Sequence, residues 1–318
     1  MYGLAAIYRK ELEDHFSNVR FTLLLTVILM ISLIMAFMTG AGLRKELEGL
    51  TKPALVFLML FTSTGTLFSL VQFVAFFGPL IGLVLGFDAI NRERAQRTLA
   101  KLVAQPIHRD AIINGKFLAG ITTAALLLAA ITLMTAGLGL WVLGVVPGGE
   151  EVGRLAAWLV LSVFYVGFWL GLAIFCSVVL RGMATSALAV LAVWIFLAFF
   201  VPLGATLIAD GVAPVDSQAT IETALRHEQI KRAVNYVSPI ALYSDATAVM
   251  LDPLRRTTRS LILMGPLERM SLSRFESPLP LAQSALVVAP HLMLLLAATL
   301  TCFAASYACF MRQEVRTT

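Results

Sequence analysis

The chain has 318 residues, 59% of them hydrophobic and only 14% charged, with a mean hydropathy of +0.86. Soluble domains carry about 25% charged residues, so an ordinary water-soluble enzyme is excluded and a membrane protein is indicated. The formal charge of +5 is small and identifies no polyanionic partner, so no nucleic-acid binding is expected.

Residues 1–19 carry Leu4, Tyr8, Leu12, Phe16 and Val19 on a helical stripe facing away from Arg9, Lys10, Glu13 and Asp14. This pattern predicts an amphipathic helix lying along the membrane surface. The first span is expected over 21–39; its apolar core is too long for a cleaved signal peptide, and no small-x-small site follows. The run 54–61 (ALVFLMLF) is apolar but too short to cross, and reads as an interfacial or re-entrant segment.

Further spans are expected over 67–87, 117–146, 155–180, 183–209 and 282–311, the third of them overlong. The second carries Gly78, Gly82 and Gly86, and the fourth Gly167 and Gly171. Glycines four residues apart let helix backbones approach closely; packing inside one bundle and packing at a two-fold dimer interface both fit. Cys176, Cys302 and Cys309 lie inside apolar runs without metal-ligand spacing, so no metal site is expected.

Between the second and third spans, Ala95, Leu99, Leu102 and Val103 form one stripe, with Arg92, Arg94, Arg97 and Lys101 mostly off it. The spacing predicts a firm helix over 91–105 with one apolar face, stopped by Pro106. Asp110 is expected to cap the next helix. After the fifth span, 210–281 is long and locally neutral, with a helix expected around 217–234. Ser238-Pro239, Asp252-Pro253, Gly265-Pro266 and Ser277-Pro278 punctuate the rest.

Lysine and arginine counts in the short connections set the orientation. With the N-terminus inside, Arg9, Lys10, Arg20, the six between 92 and 116, Arg181, Arg312 and Arg316 lie inside. Only Arg44, Lys45, Lys52 and Arg154 lie in short outer loops. Both termini are therefore expected in the cytoplasm, and 210–281 outside.

Glu93-Arg94-x-x-x-Thr98-Leu99, then Leu102, Pro106-Ile107-His108-Arg109 and Gly115-Lys116 resemble the signature that follows the second span in ABC-2 type transporter permeases. The six-span layout, the surface helix and the long outer segment also match. The chain departs from that pattern at Arg97, where the family often has glycine, and at Ala95, where an acid is common. Length and outer segment are similar to those of the permeases of the nitrous-oxide-reductase maturation transporter.

The resemblance implies an all-α integral membrane protein of six transmembrane helices: an interfacial helix at 1–19, helices 1–5 over 20–209 with a cytoplasmic coupling helix at 91–105, an extracytoplasmic segment at 210–281, and helix 6 with a cytoplasmic tail at 282–318. It implies a permease in a prokaryotic inner membrane, paired with a separate ABC ATPase subunit and a second permease copy as a homodimer. An extracytoplasmic accessory protein and membrane lipid are further expected partners. ATP and Mg would belong to the ATPase, with no cofactor in this chain. Arg92, Glu93, Arg94, Arg97, Thr98, Leu99, Lys101 and Leu102 would contact the ATPase, with Arg181-Gly182 as a second contact.

Three functional readings follow: an exporter, a membrane subunit that transmits force to an outer-side protein, and an ion-coupled secondary transporter. The last would bury acids or histidines at mid-membrane, whereas the expected spans contain no Asp or Glu, and His291 is their one residue among Asp, Glu, His, Lys and Arg. Gly115-Lys116 lacks the glycine-rich approach of a nucleotide loop. His227-Glu228-Gln229-Ile230-Lys231 has lysine where a zinc-protease helix needs its second histidine. No nucleophile-elbow pattern occurs, and no catalytic residue is assigned.

Overall fold

A computed structural model of the chain describes residues 2–48, 56–62, 69–99, 108–215, 220–252 and 279–312. Among them every regular element is a helix, and six helices are long and apolar enough to cross a bilayer. The chain is thus an all-α, multi-pass membrane protein.

Helix α1 (Tyr2–Ser17) is followed almost directly by α2 (Val19–Glu46). At 28 residues α2 is about 42 Å long, more than the roughly 30 Å of hydrocarbon, and it extends beyond 21–39 at both ends. The short α3 (Val56–Thr62) is buried at Phe57, Leu58, Leu60 and Phe61. The run at 54–61 therefore lies inside the protein as a short helix, its first two residues outside the described set. Its buried first turn is satisfied from another element: Glu151 Oε1 accepts from the Phe57 N–H at 3.2 Å. Helix α4 (Leu70–Gly86) opens with a capping box: Ser69 Oγ accepts from the Gln72 N–H and the Gln72 amide oxygen from the Ser69 N–H.

The segment expected as one helix over 91–105 is broken. Helix α5 (Asn91–Ala95) ends after five residues, and Arg97 adopts a left-handed φ of 56°. The Thr98 N–H bonds to Glu93 O at 2.9 Å and the Arg97 N–H to Arg94 O at 3.1 Å, the paired bonds of a Schellman C-cap. Leu99 is helical again and buried; residues 100–107 lie outside the described set.

Helix α6 (Arg109–Leu143) spans 35 residues, about 52 Å, so the third span is overlong as expected. His108, not Asp110, holds its N-cap; Asp110 sits in the first turn, where its carboxylate accepts from the Ala111 N–H at 2.9 Å. Helix α7 (Gly149–Val179) is the most buried span, contacting α4, α6 and the helices Pro239–Leu251 and Leu281–Arg312.

The fifth span comprises α8 (Met183–Ile195), a π-wound turn (Phe196–Phe200) and α9 (Val201–Val212). The widening has a local cause: Pro202 lacks an N–H and its ring crowds the carbonyl four residues back. In the π-wound register the Val201 N–H reaches back five residues to Phe196 O, and Ser238 Oγ donates to the next carbonyl, Leu197 O, at 3.0 Å.

Helix α10 (Ile221–Asn235) matches the helix expected near 217–234. Helix α11 (Pro239–Leu251) starts at Ser238-Pro239 and buries Leu242, Tyr243, Ala246 and Val249. Tyr243 stacks on Tyr165 of α7 with ring centroids 4.4 Å apart. Part of 210–281 is thus folded into the bundle, and 253–278 lies outside the described set. Helix α12 (Leu281–Arg312) returns along α7.

Candidate functional site

Arg92, Glu93, Arg94, Arg97 and Arg181, singled out in the sequence, converge at one end of the bundle, here called the basal end, where α1, α5, the start of α6 and the α7–α8 turn meet. At their centre is Lys116, whose side chain is 4% exposed. Its Nζ lies 2.7 Å from Glu11 Oε1 on α1 and 2.9 Å from Glu93 Oε1 on α5. Lys10 adds contacts of 3.1 Å to Glu11 and 3.6 Å to Glu93. Burial pulls the Glu11 carboxyl up, but Lys116 and Lys10 outweigh it and hold it below the ordinary carboxylate range. Gly115 explains how α1 comes so near, since a Cβ there would stand 2.8 Å from Ile7 Cγ2.

Arg94 has a different task. Its guanidinium donates to Val178 O at 2.9 Å, and to Ser177 O and Leu180 O at 3.4 Å each, with Asn91 Oδ1 at 3.2 Å. It therefore caps the carbonyl end of α7, where cations are favoured. Asn91 Nδ2 donates to Gly182 O at 3.2 Å, and Ser177 Oγ accepts from the N–H groups of Ile90 and Asn91 at 3.0 and 3.2 Å. Residues 90–94 and the turn at 177–182 form one hydrogen-bonded joint.

Of the residues expected to face a partner, Arg92, Arg97, Thr98 and Arg181 are exposed. Glu93 and Arg94 are turned into the protein by the pairings above, so their expected outward role is corrected. Leu99 is 6% exposed and belongs to the core. Gly182 precedes α8 and its carbonyl is taken by Asn91 and Thr185. Lys101 and Leu102 lie outside the described residues. The sequence pattern does not single out Asn91, Ser177, Glu11 or Lys116 as basal-end residues; Lys116 alone of them falls inside the family motif.

The glycine stripes are used within this chain. A Cβ on Gly82 would meet Leu170 N at 2.7 Å and Val166 O at 2.9 Å, and one on Gly86 would meet Ala173 Cβ at 2.8 Å. Gly78 faces Tyr165, Gly167 faces Ile121, and Gly171 faces Thr299 and Cys302. They pack α4, α6 and α12 against α7.

At the opposite end the fully buried Arg154 of α7 binds Met250 O at 2.9 Å, Ser284 Oγ at 3.2 Å, Glu150 at 2.9 Å, and Leu279 O. Met250 and Leu279, on either side of 253–278, are thus both fastened to the start of the span whose other end Arg94 caps.

The sequence profile of the ABC-2 family transporter proteins matches residues 5–315, nearly the whole chain. A protein named probable ABC transporter permease protein NosY from Stutzerimonas stutzeri is 30% identical over 149 residues, 47% of this chain and 48% of that one. Its namesake from Pseudomonas aeruginosa (strain PAO1) is 32% identical over 152 residues, 48% of this chain and 50% of the relative. The matched stretch thus spans about half the length of these curated relatives.

Proposed function

We propose, for a chain that belongs to the ABC-2 transporter family, that it is the permease subunit of an ATP-driven complex whose ATPase is a separate chain. The observation that carries this reading is the basal joint, in which α5 is bolted to the α7–α8 turn through Arg94 and Asn91. A partner pushing on the exposed Arg92, Arg97 and Arg181 would push on a unit continuous with two spans. ATP and Mg would be held by that ATPase, and closure of two ATPase subunits would drive two permease copies as a rigid-body switch. In this reading the basal end and both termini are cytoplasmic, the membrane is the inner membrane of a prokaryote, and the direction of transport is export.

Charge reversal tests the contact. The triple variant Arg92→Glu, Arg97→Glu, Arg181→Glu is expected to insert normally yet lose co-purification with the ATPase. Unchanged recovery and turnover of the complex would overturn the assignment.

A second reading, transmission of force to an extracytoplasmic protein, is favoured by Arg154, which fastens Met250 and Leu279, on either side of 253–278, to α7. ATP-dependent uptake into inverted vesicles supports export. ATP turnover that responds to an outer-side protein without uptake supports transmission.

A further inference from the structure

A crevice of about 870 Å³ opens at the basal end between α1–α2 and α4–α5, within the roughly 300–1,000 Å³ of small-molecule sites. Its upper wall is apolar: Leu23, Leu24 and Val27 on one side, Leu83 and Val84 on the other. Leu23 and Val27 are 62% and 52% exposed, so the wall opens sideways towards hydrocarbon. The lower part is charged, with the carboxylates of Glu11, Asp14, Asp88 and Glu93 against the cations of Lys10, Arg92 and Lys116. Four carboxylates against three cations leave one net negative charge, and burial pushes the nearby His15 imidazole below its ordinary pKa. Glu93 Oε2, buried in this floor, accepts no hydrogen bond among the described residues.

We propose that this crevice holds one phospholipid of the adjoining leaflet with a primary-amine headgroup, the phosphatidylethanolamine class. Such a molecule matches each part of the lining. Its ammonium brings N–H donors to a floor richer in acceptors, its phosphate meets Arg92 and Lys10 at the rim, and an acyl chain lies on the α2–α4 wall. An anionic headgroup adds negative charge to a negative floor, and a quaternary choline has no N–H to donate. The lipid would sit between the surface helix and α5, next to the basal joint, and its seating does not depend on the direction of transport.

The test uses the full chain in nanodiscs of equal parts phosphatidylethanolamine, phosphatidylcholine and phosphatidylglycerol, released into the mass spectrometer with its retained lipid. Retention of the ethanolamine lipid is expected to exceed either competitor by about tenfold, the worth of roughly one charge-assisted hydrogen bond. It should fall stepwise through the mono- and dimethylated headgroups in the unmodified protein. Val84→Trp, which fills the wall, should return retention to the bulk ratio. Equal retention of the three lipids, preference for phosphatidylglycerol, no dependence on methylation, or a dry crevice filled by a second copy of the chain would each overturn the proposal.

Discussion

Lys116 is held between Glu11 and Glu93 at 2.7 and 2.9 Å, with almost none of its side chain exposed. Removing one member of a buried ion cluster leaves the others charged and unpaired, at a cost of about 3–5 kcal/mol. Lys116→Met is therefore expected to destabilise the chain by that order in thermal unfolding and to release α1 to limited proteolysis. Adding Glu11→Gln and Glu93→Gln should recover much of the loss, and a K116M chain as stable as the parent would contradict the cluster's role.

Arg97 stands at the left-handed C′ position of a Schellman cap, where a side chain costs roughly 1 kcal/mol relative to glycine. Arg97→Gly should raise the thermal stability of the isolated chain while weakening its recovery with the ATPase. A fall in both would show that the strain is absent. The left-handed φ is a backbone reason for glycine at this position. The motif was legible as a string of residues; that Glu93 and Lys116 pair was not, since 23 positions separate them and only folding brings α5 to the foot of α6.

At the level of elements, the six spans were readable because about 20 apolar residues leave few alternatives in a bilayer. The short buried helices were harder. Thirteen residues of α11 carry no span signal, and its burial depends on partners in α7 and α12. The break after Ala95 was hidden for the opposite reason: the apolar stripe continues through Leu99, and arginine rather than glycine fills the turn. The glycine stripe left two readings open, and packing on α7 separates them. Gly82→Ala is expected to cost about 1–3 kcal/mol, because the added carbon meets backbone atoms that cannot yield. Gly42→Ala, with nothing within 4 Å, should be neutral or stabilising. Equal stability of the two variants in detergent unfolding would remove the packing role.

Across the whole molecule, α7 is a buried rod with an arginine at each end. Arg94 fixes its basal carbonyls to α5, and Arg154 fixes its start to α11 and to the entry of α12. Force applied at the basal joint therefore reaches the far end without passing through a loop, which suits both export and transmission. Three of the other five spans, α2, the α8–α9 rod and α12, are the least buried, and exposed apolar side chains such as Leu33, Phe37, Phe199 and Leu203 lie on the first two. These faces suit lipid and a second copy of the chain.

The basal joint as the seat of a separate ATPase is tested most directly by a photo-crosslinking amino acid placed at Arg97 or Arg181 in native membranes. Both positions are expected to yield one major adduct with the ATPase subunit, its intensity changing when a non-hydrolysable nucleotide is added. Adducts with lipid alone, unchanged by nucleotide, would contradict the account.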